Sequence, residues 1–268
     1  MSWFNLEHLS AIPVSGADSA AFVHAQLTAD VTGAPSGVWH PAAWCDVKGR
    51  VEATILFRRN ENHADGNGGS LHLAMPASEA DRVARGLGMY TIGRKARVES
   101  PVGVRGCLGG CDAGAPLARD PDRYMDIGEA SSDPADLELW HRADLRLGFP
   151  WLTGPATGRH LPQALGLESL GGLSYRKGCY PGQEIVARAH YLGRVKRVLG
   201  GFVQSGGSEP APGDPILDES GKSAGEVLWG LAFGRDWRGL AVMREGIDAA
   251  SLSLSDQPVT RTPLESLC

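Results

Sequence analysis

The sequence has few cysteines and no long apolar run. Its 268 residues include five cysteines, an odd and sparse set that argues against a disulfide framework and predicts reduced thiols. No run of 18 apolar residues exists, so neither a transmembrane helix nor a membrane partner is expected. The N-terminal residues lack the basic and apolar regions of a secretory signal peptide, and we therefore expect a cytoplasmic protein.

The sequence also lacks the motifs of common nucleotide and metal sites. Neither Gly-x-Gly-x-x-Gly nor Gly-x-x-x-x-Gly-Lys-[Ser/Thr] is present, which argues against a Rossmann or P-loop site. Cys107 and Cys111 form a single Cys-x3-Cys pair, and a stable zinc site needs four ligands, so we interpret them as incidental thiols and predict no metal. The net charge of −5 argues against general nucleic-acid binding but leaves room for a local RNA or anion contact.

Glycine and proline are abundant instead, with 36 and 17 residues, and they separate short periodic segments. Through the first two-thirds of the chain, predicted strands alternate with helices, which indicates an α+β fold. Helices are predicted over 17–28 and 77–88, and strands over 11–15, 38–45, 51–58, 71–75, 95–99 and 102–108. Residues 60–69 and 109–136 are predicted as loops, whereas 137–147 fits a helix or a strand.

The last third of the chain has a different pattern. Short apolar segments over 198–203, 214–217, 225–228 and 239–243 are separated by Gly, Pro, Asp and Ser. This spacing predicts a small antiparallel barrel or sandwich, with a domain boundary near 196–200.

One segment reverses the charge of the chain. Residues 175–197, which we call the signature segment, contain six cations and one carboxylate, a net charge of +5. The cations are Arg176, Lys177, Arg188, Arg194, Lys196 and Arg197. Such a concentration can attract an anionic ligand or partner, although charge alone fits a solvated basic face equally well.

Cys179 lies within this segment, just before a helix that we predict to begin near Pro181. Free backbone N–H groups at a helix start, together with the neighbouring Lys177, stabilise a thiolate. A small buried structural cysteine is the alternative interpretation. We favour the reactive thiol because glycines, a lysine and a helix start converge on the same few residues.

Residues 177–184 read Lys-Gly-Cys-Tyr-Pro-Gly-Gln-Glu, which resembles the Lys-Gly-Cys-Tyr-x-Gly-Gln-Glu signature of YgfZ-type folate-binding proteins. These proteins are bacterial relatives of the glycine cleavage T-protein, an aminomethyltransferase. The resemblance continues at Asp30, in the turn at 45–49, and in the segments 148–150 and 162–163.

The resemblance implies the three-part T-protein architecture around a central cavity, with a C-terminal antiparallel β-barrel. It places a discontinuous first α+β domain at 1–45 and 137–196, a second α+β domain at 46–136 and the barrel at 197–268.

The resemblance further implies a tetrahydrofolate-binding accessory protein that supports assembly or repair of iron–sulfur clusters in client enzymes, including those of tRNA modification. The implied partners are a folate and iron–sulfur client proteins or cluster-assembly factors. Cys179 is expected to act as the reactive thiol, with Lys177 as its electrostatic partner. Expected folate contacts are Tyr180 (stacking on the pterin), Gly182, Gln183, Glu184, Arg188 (toward the glutamate tail), Gln163 and Asp46.

Two departures from the related sequences bear on the activity. Aminomethyltransferases have a Gly-Gly-x-x-Asp-Asp pattern, whereas residues 48–53 here read Lys-Gly-Arg-Val-Glu-Ala, with Glu52 predicted on an exposed strand face. No glycine-cleavage activity is therefore expected. Relatives often have Asn where this chain has Gly166. A folate-dependent one-carbon transferase and a non-catalytic interaction protein with a vestigial cavity remain the alternative functions.

Overall fold

The computed structural model describes residues 2–60, 70–111, 113–193, 196–247 and 252–268. Residues 61–69 of the predicted loop and Arg194 of the signature segment lie outside these ranges. The helices are α1 (Ser19–Gln26), α2 (Ala77–Gly88), α3 (Pro134–Leu147) and α4 (Gln183–Tyr191). The strands are β1 (Phe4–Ser15), β2 (Trp39–Cys45), β3 (Val51–Arg59), β4 (Leu71–Pro76), β5 (Arg97–Val98), β6 (Val102–Leu108), β7 (Ala115–Leu117), β8 (Asp120–Ile127), β9 (Arg197–Ser205), β10 (Pro215–Leu217), β11 (Ser223–Phe233), β12 (Asp236–Arg244), β13 (Leu252–Leu254) and β14 (Gln257–Thr262).

The first sheet contains β1 to β8 in the order β4-β3-β2-β7-β8-β6-β1-β5. Strand β1 pairs with both β4 and β6, so the sheet closes on itself. Helix α2 covers it with Ala80, Val83 and Leu87, which recur at helical spacing. In β3 both faces are covered, since Thr54 and Leu56 are as buried as their neighbours.

The second sheet is a closed barrel of six antiparallel strands in the order β10-β11-β12-β9-β14-β13. Its core includes Phe202, Ile216, Val227 and Met243. The prediction of an all-β C-terminal part is confirmed. Among the described residues, no helix is long and apolar enough to cross a membrane.

Two predictions about the segment from 107 to 136 are wrong. Residues 109–136 were predicted as a loop, yet β7 and β8 lie there and pair within the first sheet. Strand β8 is mostly polar, and its burial depends on Met125 and on Arg123, which pairs with Asp144 of α3 at 2.6 Å. Cys107 and Cys111, predicted as free thiols, are joined in a disulfide.

The undecided segment 137–147 is helical. Asp133 caps the start of α3 by accepting hydrogen bonds from the N–H groups of Ala135 and Asp136. Gly148 ends it in the left-handed conformation at φ 68°. The first sheet takes strands from both 1–45 and 46–136; the division into three domains stays a prediction.

Candidate functional site

The signature segment is docked on the turn between β2 and β3. Gly182 precedes α4 in the left-handed conformation, at φ 76°. A Cβ at this position would press against the Asp46 carbonyl oxygen and the Gly49 backbone nitrogen, so only glycine allows the close approach. Gly49 in turn faces Val186 of α4. The sequence therefore brings the signature and the 46–50 turn into contact through two glycines.

The carboxylate of Asp46 holds this turn together. Its Oδ1 accepts hydrogen bonds from the N–H groups of Lys48 at 2.9 Å and Arg50 at 2.8 Å. This is the short-range pattern in which an aspartate closes a turn on its own backbone. The predicted role of Asp46 as a folate contact stays a prediction, and its observed contacts are with the turn.

Lys177 is buried at the C-terminal end of α1. Its Nζ donates a hydrogen bond to the carbonyl oxygen of Leu27 at 2.5 Å and another to that of His24. Burial lowers the pKa of Lys177 to about 8, against the opposing effects of Asp30 and Cys179. The lysine thus ties the signature segment to α1 and lies within electrostatic reach of Cys179.

Cys179 is exposed. The alternative interpretation of a buried structural cysteine is therefore wrong for this residue, and it applies instead to Cys45, where burial raises the thiol pKa. Helix α4 begins at Gln183, two residues beyond the predicted start at Pro181. Cys179 consequently lies farther from the helix N-terminus than the sequence predicts, because Gly182 first turns the chain over the 46–50 turn.

Of the predicted folate contacts, Tyr180 is buried and Gln163 is half-buried. Tyr180 is 5% exposed, its ring lies 5.1 Å from Lys177 Nζ, and burial raises its pKa. Gln163 Nε2 donates to the carbonyl oxygen of Val186 at 2.8 Å and to the hydroxyl of Tyr175 at 3.3 Å. Among the described residues, the Tyr180 hydroxyl and Gln163 Oε1 are buried without a hydrogen-bond partner. Such orphaned groups need a water or a ligand.

The remaining predicted contacts lie on α4. Glu184 and Arg188 are exposed on the outer side of the helix, and Gln183 is half-buried in its first turn. Two cavities bear on the candidate site, and none of the three residues lines either of them.

The first of these, which we call the aromatic cavity, has a volume of about 400 Å³. It lies where β1, the start of α2, α3 and β11 meet, and is mainly apolar. Its walls are Glu7, His8, Pro76, Ala77, Ser78, His141, Trp151, Thr153 and Trp229. Sequence reasoning missed it because its residues come from separate segments, none of which forms a motif.

His8 is the unusual group of the aromatic cavity. Its ring lies 4.1 Å from that of His141. Both of its ring nitrogen atoms are buried without a hydrogen-bond partner among the described residues. Burial, followed by the charges of His141 and Arg123, lowers its pKa well below the ordinary value. A neutral imidazole presents one donor and one acceptor, and here neither is used.

The second cavity, which we call the basic cleft, is open and has a volume of about 450 Å³. It combines Arg50 from the turn with Ala189, Lys196 and Arg197 from the signature segment. The remaining walls are Arg159, His160, Leu161, Ala164 and Glu226. The signature segment and the 46–50 turn therefore meet at a cavity, but its walls are other residues than those expected to contact folate.

The sequence predicts Glu52 on an exposed strand face, and the structure shows this prediction to be wrong. Its carboxylate is partly buried and pairs with Arg82 of α2 at 3.0 Å, and Gly158 packs directly against it. Gly166 adopts φ 70°, a left-handed conformation that Gly and Asn tolerate better than other residues. Within the described part of the chain, no cluster of His, Cys, Asp or Glu is arranged to hold a metal ion.

No family model matches the chain. The tRNA-modifying protein YgfZ of Cronobacter sakazakii is 28% identical over 270 residues, which cover 85% of this chain and 80% of that protein. The protein of the same name from Escherichia coli is 28% identical over 301 residues, covering 97% of this chain and 83% of the relative. That of Yersinia enterocolitica is 27% identical and covers 97% of this chain and 82% of the relative.

Among solved structures, the glycine cleavage system aminomethyltransferase T from Bartonella henselae superposes with a TM-score of 0.69. The match covers 97% of this chain and 84% of that chain at 13% identity, which shows a shared fold. The predicted T-protein architecture is confirmed. The resemblance read from residues 177–184 is confirmed as well: this chain is a relative of the YgfZ proteins over most of its length, with the fold of the glycine cleavage T-protein.

Proposed function

We propose that this chain is a cytoplasmic tetrahydrofolate-binding protein that supports assembly or repair of iron–sulfur clusters in client enzymes, including enzymes that modify tRNA. The names of its relatives support a role in tRNA modification, and the T-protein fold supports a relation to folate. The partners in this proposal are a reduced folate and iron–sulfur client proteins or cluster-assembly factors.

The observation that carries the proposal is the aromatic cavity with the unpartnered ring of His8 on its wall. A pterin is a flat ring with a polar edge, and this cavity is lined by the aromatic side chains of Trp151 and Trp229 together with a few polar groups. Burial keeps His8 neutral, so that it can donate one hydrogen bond and accept another. The carboxylate of Glu7 can accept from ring N–H groups. The residues present therefore fit a pterin.

When bound, tetrahydrofolate supplies one-carbon chemistry, and the protein supplies binding, orientation and exclusion of water. We assign the orientation of the ring to His8 and Glu7, and the exclusion of water to the two tryptophans. Tyr180 and Gln163 do not line the aromatic cavity, and their predicted contact with folate stays a prediction; each has a buried polar atom without a partner among the described residues.

The proposed reactive group is the exposed thiol of Cys179, supported by the ammonium of Lys177. An exposed thiol is accessible to a protein partner, and a thiolate is the form that ligates iron. The alternative of aminomethyl transfer is less well supported, since Glu52, which lies where the transferases have an aspartate, is engaged by Arg82.

The ligand part of the proposal is tested by titrating tetrahydrofolate into the protein and following tryptophan fluorescence. Replacing Trp229 with alanine removes a stacking wall and is expected to weaken binding about tenfold, because ring stacking on an aromatic side chain contributes about 1–3 kcal/mol. Trp237→Ala is the matched control, since Trp237 lies on the same barrel outside the cavity. Absence of binding by every reduced folate tested, or equal weakening by the two variants, would contradict the assignment.

The cellular part is tested by restoring iron–sulfur enzyme activities in a strain that lacks the protein. Cys179→Ser is expected to fail while the variant still folds, whereas Cys268→Ser, which changes another exposed cysteine, is expected to restore activity. Full restoration by Cys179→Ser would remove the reactive-thiol role and leave the folate site unaffected.

A further inference from the structure

The basic cleft shares no wall residue with the aromatic cavity and does not include Cys179. Its floor is the carboxylate of Glu226, which is 5% exposed on β11. Glu226 Oε2 lies 3.0 Å from Nη2 of Arg159, and its Oε1 lies 3.3 Å from Nε2 of the buried His160. Both carboxylate oxygens are therefore engaged by the protein, and the buried charge is compensated.

Three further cations line the same cleft, and none of them pairs with a carboxylate among the described residues. The Arg50 guanidinium donates a hydrogen bond from Nη1 to the carbonyl oxygen of Arg159, at 3.0 Å. Lys196 is exposed and Arg197 is half-buried at the start of β9. With Arg159 and Glu226 cancelling, these three leave the cleft with a net charge of +3 in a chain whose net charge is −5.

Such a concentration of like charge raises the local concentration of anions at the cleft. Arg50 comes from the β2–β3 turn, Arg159 from the segment after α3, and Lys196 and Arg197 from the start of β9, so the fold brings three parts of the chain together at the cleft. The intervening wall is formed by the short apolar side chains of Leu161, Ala164 and Ala189. Cations separated by short apolar side chains suit the regularly spaced phosphates of a nucleic-acid backbone better than a single buried ion.

We propose that the basic cleft binds phosphate groups of an RNA strand. The identification of RNA as their source rests on the proposed function in tRNA modification, whereas the preference for phosphate rests on the charges. Arginine and lysine are the side chains that most often contact phosphate oxygens, and these contacts position a nucleic acid without reading its sequence. Among the described residues, no tryptophan, tyrosine or phenylalanine lines the cleft, so the cleft favours contact with the backbone over stacking of bases.

This contact is local and agrees with an acidic protein that lacks general affinity for nucleic acids. Three cations neutralise at most about three phosphates, so binding is expected to be weak and to depend on salt with a slope of about −2 to −3 in a plot of log K against log salt concentration. The cleft would then orient an RNA that another contact recruits.

The test uses the full chain and a fluorescein-labelled unmodified tRNA transcript, with fluorescence anisotropy measured between 50 and 200 mM KCl. The double change Lys196→Ala with Arg197→Ala is expected to weaken binding about tenfold at low salt and to reduce the magnitude of the slope by about 2. Lys196→Arg with Arg197→Lys keeps both charges and is expected to retain the slope. Unfolding curves check that the variants fold.

Arg235→Ala is the matched control, because Arg235 is exposed in the turn that follows β11, and the end of that strand at Phe233 lies about 23 Å from Glu226 at about 3.3 Å per residue. An equal loss in Arg235→Ala and in the double variant would overturn the proposal. So would a double variant that loses affinity for folate triglutamate but not for tRNA, since the cleft would then hold a carboxylate tail. Binding of inorganic pyrophosphate without tRNA would overturn RNA as the source.

The two proposals fail separately. If tetrahydrofolate binds and tRNA binding does not depend on the cleft, the folate proposal stands and this one falls. If the double variant loses affinity for tRNA while no reduced folate binds the wild-type protein, the RNA proposal stands and the folate proposal falls.

Discussion

Replacing Gly182 with alanine is the most direct perturbation of the contact between the signature segment and the 46–50 turn. The added Cβ has two effects that the structure separates. It forces a non-glycine residue to keep φ 76°, and it presses against the backbone of Asp46 and Gly49. Because both opposing atoms belong to backbone, no side chain can rotate away to make room.

The expected cost follows from these two effects. Holding an ordinary residue in the left-handed conformation costs roughly 1–2 kcal/mol. Overpacking of a well-filled contact adds about 1–3 kcal/mol, because the turn must move away from Val186 and lose its packing. We therefore expect Gly182→Ala to lower the free energy of unfolding by about 2–5 kcal/mol.

Gly93→Ala is the matched control. Gly93 has φ 77°, yet a Cβ there would meet no heavy atom within 4 Å, so it incurs only the conformational cost. Urea unfolding of the two variants measures the difference, and hydrogen exchange over 46–50 and 183–191 locates it. If both variants lose the same free energy, or if exchange quickens equally throughout the chain, the close approach at Gly182 does not stabilise the site.

Two further predictions concern buried charge. Burial lowers the pKa of His8, so as the pH drops the unfolded chain binds a proton before the folded chain does, and stability is expected to fall below about pH 6.5. His8→Phe should lessen that fall, as measured by urea unfolding between pH 7.5 and 5. A pH profile of stability unchanged by the substitution would contradict this prediction. Arg123→Met leaves the buried carboxylate of Asp144 without its cation and should lower the free energy of unfolding by about 3–5 kcal/mol. Arg142→Met breaks the exposed pair with Glu138 on α3 and should lower it by less than about 0.5 kcal/mol. Similar losses for the two variants in urea unfolding would refute the distinction.

Sequence patterns predicted elements well where periodicity was strong and local. Helix α2 spans the predicted 77–88, because its apolar residues recur at helical spacing between polar ones. Strand β8 was missed because its sequence is mostly polar and the burial of Arg123 depends on an ion pair with a distant helix. That partner is contributed by tertiary structure, which local periodicity does not encode.

The candidate site likewise has parts that the sequence predicts and parts that it does not. Residues 177–184 are contiguous, so a motif identified them, and the resemblance also pointed to the turn that they contact. The start of α4 was misplaced because a proline favours the first helical position, whereas the left-handed Gly182 delays the helix. The aromatic cavity and the basic cleft were not predicted, since each collects residues from distant segments that no spacing rule connects.

The double pairing of β1 has a consequence for the order in which the chain folds. Leu9 pairs with Pro76 on one side and Phe4 with Gly106 on the other, so the earliest strand is completed only by segments made much later. During synthesis this strand has unsatisfied backbone groups on both edges, the condition that favours pairing with the wrong chain. Contacts of such long sequence separation slow folding, and the first sheet should assemble after the barrel hairpin of β11 and β12, whose strands are neighbours in sequence.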